Sequence, residues 1–98
     1  MERAKALAII HACLKNGRYL VKDHFLHRLD QRGLFWADVQ ALIDAPRRVR
    51  GDGEDQFDRP RCLISGTAPD GLQLAFLVVI DEDARGKLTV FITIYHED

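Results

Sequence analysis

Apolar residues recur along the first 45 positions at helical spacing. Leu7, Ile10 and Leu14 share one face of a helix over the first fifteen residues, which Asn16-Gly17 brings to a stop. His11 falls on the flank of that face, where a packed and hydrogen-bonded histidine is the expectation. A second helix is predicted from Asp23 to Arg32, with Phe25, Leu26 and Leu29 inward, Asp23 as cap and Gly33 as the left-handed exit. A third turns Trp36, Val39, Leu42 and Ile43 inward and stops before Pro46.

After Pro46 the period changes. The stretch RRVRGDGEDQFDRPR is charged and punctuated by glycine and proline, so it reads as a short edge strand, if any, followed by a mobile loop. Three strands with short turns follow, near residues 61–67, 72–81 and 87–95. The middle one is apolar on both faces from Ala75 to Ile80, which suits a central position. In the last, strict alternation sends Leu88, Val90, Ile92 and Ile94 beneath the helices and Thr89, Phe91, Thr93 and Tyr95 to the second face. The expected fold is therefore α+β. Two to three N-terminal helices pack on one face of an antiparallel meander of three to four strands, in a single domain over residues 1–98.

Composition narrows the class. Hydrophobic residues make up 47% of the 98 and charged ones 30%, the balance of a globular domain and not of a chain disordered throughout. No apolar run reaches the roughly 20 residues a membrane span needs, and the N-terminus lacks the basic, apolar and cleavage regions of a signal peptide, so no membrane and a cytoplasmic location are expected. Cys13 and Cys62 stand alone in apolar segments and read as buried free thiols. The net charge of -1 hides an asymmetry, because Met1–Arg50 holds ten Lys/Arg against five Asp/Glu while Gly51–Asp98 holds four against ten. Basic charge on the leading helices suits a phosphate backbone, unless folding pairs it internally.

One row of polar residues stands out. His24, Arg28 and Gln31 fall together on the second helix, flanked by His27 and Arg32, nearly opposite its apolar face. Such residues gain little helix stability from one another, whereas histidine exchanges protons near neutral pH and arginine holds two phosphate oxygens at once. The row therefore suits an anionic substrate. A metal site is the competing reading, with His24 and His27 three apart, Asp23 adjacent and His96 arriving from the last strand. The pair has no convincing third ligand and sits among arginines, so no metal and no cofactor are expected. The chain has no P-loop, no dinucleotide fingerprint and no nucleophile elbow.

The order RYLVKDHFLHRLDQRGLFWADVQALI, RPRCLISGTAPDGLQLAFLVVI and TVFITIYHED resembles a small bacterial family known as a domain of unknown function, with a helical H-x-x-x-R-x-x-x-R-G segment, a D-V helix, a C-L-x-x-G strand, a D-G turn and a closing I-T-x-Y strand. That family is similar in strand pattern to the RelE/MqsR-like toxins, metal-independent ribonucleases restrained by an antitoxin protein. The resemblance implies an RNA-cleaving activity, RNA as substrate and an antitoxin as partner. On it, His24 would transfer a proton, Tyr95 would handle the opposite proton or touch the phosphate, and Arg28 and Arg32 would supply charge, with His27, Gln31 and Thr93 contacting substrate. Two positions depart from the pattern: Ala75 stands where the family often has histidine, and Phe35 where a serine or threonine usually caps the third helix. A protein- or nucleic-acid-binding module without catalysis is the alternative. His24 and Tyr95 would lie on opposite sides of the sheet and meet only at its rim.

Overall fold

The computed structural model describes residues 1–96. Among them the chain runs α1 (Arg3–Lys15), β1 (Tyr19–Val21), α2 (Asp23–Gln31), α3 (Trp36–Asp44), β2 (Arg48–Glu54), β3 (Pro60–Thr67), β4 (Gln73–Asp83) and β5 (Gly86–His96). The strands form one sheet in the order β1-β5-β4-β3-β2, antiparallel except for β1, which runs parallel to β5. No helix among them is long and apolar enough to cross a membrane.

The helices end as their glycines dictate. Gly17 and Gly33 take φ of 70° and 64°. After α2 the N–H of Gly33 donates to Asp30 O and that of Leu34 to Leu29 O, satisfying carbonyls that the last turn would otherwise leave open. The same pair of bonds closes α1, from Gly17 to Leu14 and from Arg18 to Cys13. All three helices lie on one face of the sheet. Phe25 is the central wedge, its ring 5.4 Å from that of Phe76 and 5.3 Å from that of Phe91. Gly66 leaves room for α3, since a Cβ there would stand 2.6 Å from Leu42 Cγ. Both cysteines are buried and free, and burial pushes the Cys62 thiol above its ordinary value.

Several expectations are overturned. The sheet is not an antiparallel meander of three to four strands but a mixed sheet of five. Three-residue β1 is too short to show a period; what fixes it is Tyr19, stacked 5.2 Å from Trp36 and edge-on to Phe91 at 6.4 Å, together with the Lys22 N–H bond to Phe91 O at 3.0 Å. The charged stretch after Pro46 is not a mobile loop, because β2 pairs along β3 and absorbs its glycines in a register shift between Gly51 and Glu54. Leu26 does not face the core but is 47% exposed. His11 is half-buried, its Nδ1 3.6 Å from Asp44 Oδ1, too far for a hydrogen bond.

The largest correction concerns β5. Phe91 pairs with Val78 and Thr93 with Leu77, so Ile92 is an extra residue on the strand. Alternation therefore slips at that point. Thr89 and Phe91 turn under the helices, as does Ile94, while Leu88, Val90 and Ile92 join Thr93 and Tyr95 on the other face.

Candidate functional site

No helical residue belongs to the second apolar cluster, Leu63, Ala75 and Leu77 with Ile92 packed against them, so one face of the sheet has no helix over it. Strand register arranges this face in transverse rows. Arg48 pairs with Ser65, Ser65 with Ala75 and Ala75 with Tyr95, giving a first row across four strands. Arg50, Leu63, Leu77 and Thr93 make the second. Arg61, Val79, Val90 and Leu20 make a third. At about 4.8 Å per strand the first row spans roughly 14 Å of backbone, with long side chains at its ends and two small residues between. Ser65 and Ala75 are 3% and 2% exposed while Tyr95 is 48% exposed, so the row is a trough with an arginine at one end and a phenol at the other.

The turn from β2 to β3 closes one end of the face. Asp55 receives the N–H groups of Phe57 and Arg59 at 2.9 Å each, and its carboxylate pairs with the Arg59 guanidinium at 2.7 Å. Arg59 reaches on to Asp81 at 3.0 Å and lies 5.1 Å over the ring of Phe57. Burial alone would raise the Asp55 carboxyl, but the Arg59 guanidinium and the two N–H bonds outweigh it and hold the group below its ordinary value. The Glu82 N–H and then Arg59 do the same for Asp81. Beside this turn a groove of about 360 Å³ is lined by Phe57, Arg59, Arg61, Leu77, Val79 and Ile92, among others.

The residues singled out in the sequence fall into two groups. Thr93 and Tyr95 share the open face, one row apart. His24, His27, Arg28 and Gln31 lie exposed on α2, on the helix side of the sheet, and their side chains make no hydrogen bond or ion pair with any described residue. Arg32 caps the end of α2, half-buried, its Nε enclosed without a partner among the described residues. The α2 row and Tyr95 are thus separated by the sheet, as alternation implied. The link between them is the β5 edge, which β1 covers only as far as Phe91 and beside which α2 begins. Among the described residues no three His, Cys, Asp or Glu side chains are grouped to hold a cation.

Arg48, Arg50 and Ser65 were missed in the sequence reading. Their signal was the period of two in RRVR and CLISG, which a stretch read as loop concealed. A larger hollow of about 490 Å³ lies between α1 and α3, lined by His11, Lys15, Gln40 and Asp44. It is a crease between helices in which His11 already faces Asp44, remote from the open face.

Three helices backing a mixed sheet whose other face is uncovered and edged with arginines define a small α+β domain with a single-sided binding face. Residues 21–96 match the family described as a domain of unknown function, DUF4258, and the chain belongs to that family. The matched segment runs from the end of β1 to the end of β5 and leaves out α1. No curated protein and no solved structure matches the chain.

Proposed function

We propose that the chain binds single-stranded RNA across the open face of its sheet and cuts it without a metal, as a RelE/MqsR-like toxin restrained by an antitoxin protein and acting on RNA in the cytoplasm. The observation that carries this reading is the row Arg48–Ser65–Ala75–Tyr95, a trough with a cation at one end and a proton-carrying phenol at the other. Cutting RNA through its own 2′-hydroxyl needs a base for that proton, an acid for the leaving 5′-oxygen and a cation for the crowded phosphate. Tyr95 takes one proton step and Arg48 and Arg50 the charge. His24, beside the uncovered end of β5, takes the other proton step from the rim, with Arg28 and Arg32 along the same helix guiding the strand. His27, Gln31 and Thr93 add contacts to it.

A second reading, binding without cleavage, is favoured by Ala75: the residue directly across from Tyr95 carries no proton. Mixed-sequence RNA incubated with the protein and a chelator separates the two. The proposal expects fragments ending in 2′,3′-cyclic phosphate, arrest of growth on induction, and about 10²-fold or greater loss of cleavage in Tyr95→Phe and His24→Ala. Neither variant should lose its fold, because exposed positions usually change stability by about 0.5 kcal/mol or less. RNA bound but left intact by the wild type would sink cleavage and leave the binding module; no binding at all would sink both.

A further inference from the structure

We infer that the groove beside the β2–β3 turn is a nucleobase subsite in which Phe57 is the stacking platform, an inference that rests on RNA lying across the open face. Phe57 is 66% exposed, an unusual position for a phenylalanine in a five-residue turn so heavily cross-linked. That turn is held by the Asp55 bonds to Phe57 N and Arg59 N and by the Arg59 bridge to Asp55 and Asp81. The ring is therefore presented on a fixed support, with the Arg59 guanidinium 5.1 Å from its centroid. Stacking on a rigid, pre-positioned aromatic costs little ordering entropy.

The chemistry of the groove separates it from the phosphate-binding part of the face. Leu77, Val79 and Ile92 make its floor apolar. Arg59 adds no free charge, since two carboxylates already hold it, and Arg61 is held by Asp52 at 3.1 Å. A phosphate gains nothing there. A flat, largely neutral ring gains a floor, a stacking partner and shelter from water, while Arg50, in the neighbouring row, has no ion pair with any described residue and is free to take the phosphate attached to it. The volume of about 360 Å³ falls in the roughly 300–1,000 Å³ range of small-ligand clefts.

The test measures affinity for a fluorescent 2′-O-methyl decamer, which cannot be cut through its 2′-oxygens, beside an abasic decamer of the same charge. Phe57→Ala should weaken binding of the base-bearing decamer about tenfold or more and leave the abasic one unchanged. Phe57→Tyr should restore the affinity, whereas Phe57→Leu, which keeps apolar bulk without a π face, should not. Thermal melts of all variants should coincide with the wild type. Equal affinity of wild type and Phe57→Ala for the base-bearing decamer overturns the subsite and leaves RNA binding standing. Failure of the wild type to bind either decamer overturns both, and equal losses on both decamers show a disturbed face and overturn the stacking assignment.

Discussion

Two single positions carry most of what is particular to this chain. Phe35 occupies the N-cap of α3 with its ring 74% exposed, so it neither caps nor packs; only half of a capping box remains, the Phe35 N–H donating to Asp38 Oδ2 at 2.8 Å. Phe35→Ser should restore the missing acceptor and stabilise the protein by about 1 kcal/mol, read as a higher Tm with unchanged RNA binding; a lower Tm would mean the ring has a packing role. That vacancy was legible in the sequence, because an N-cap needs an oxygen and phenylalanine has none. Ala75 was legible only as a departure from the family pattern. Its consequence needed the register, which sets it directly opposite Tyr95 with its side chain toward the trough. A histidine there would stand within cross-strand reach of the phenol and supply the second proton carrier at close range. Ala75→His should raise chelator-resistant cleavage about tenfold or more, and adding Tyr95→Phe should remove the gain. No gain in a folded Ala75→His protein would argue against the trough as the reacting centre.

At the level of elements, local pattern predicted the three helices and the three long strands, because each is long enough to show its period. It failed where one residue or one short strand decides the outcome. The extra residue at Ile92 leaves the composition of β5 untouched yet reverses the facing of everything before it. The sequence TVFIT alternates well enough to conceal the slip, which only the pairing with β4 reveals. The β2–β3 turn was hidden for another reason: its order comes from Asp55 and Arg59, whose spacing of four also suits a solvated loop. Its pH response follows from the sign of the shift. The Asp55 carboxyl is held below its ordinary value in the fold, so its contribution is fully present above about pH 4 and is lost as pH falls through the lowered value. Asp55→Asn should therefore lower the Tm at pH 7, and the gap should close as both proteins are acidified below about pH 4. A gap that persists unchanged at pH 2 would remove the ion-paired carboxylate as its cause.

Over the whole molecule, the question left by the charge asymmetry was whether the basic first half neutralises the acidic second. The ion pairs answer it selectively. Arg18 holds Asp83, Arg59 holds Asp55 and Asp81, Arg61 holds Asp52 and Lys87 holds Glu82. Of these cations only Arg18 comes from the first half, so most acidic residues in the pairs are matched by near neighbours in sequence. Arg28 on α2 and Arg48 and Arg50 on β2 are left without an ion pair among the described residues, one set on each side of the β5–β2 sheet. A net charge of -1 is thus compatible with local basic surfaces, because the acidic charge is tied up at the turns. If RNA crosses the open face and passes the uncovered end of β5 to α2, both sets touch phosphate. Each phosphate neutralised on a single strand contributes about 0.7 to the slope of log affinity against log salt. Arg48→Ala, Arg50→Ala and Arg28→Ala should each lower that slope by about 0.7, while Arg61→Ala, already paired with Asp52, should change it less. A slope that responds to Arg48 and Arg50 but not to Arg28 would confine the RNA to the open face and take the α2 row, His24 included, out of the reaction.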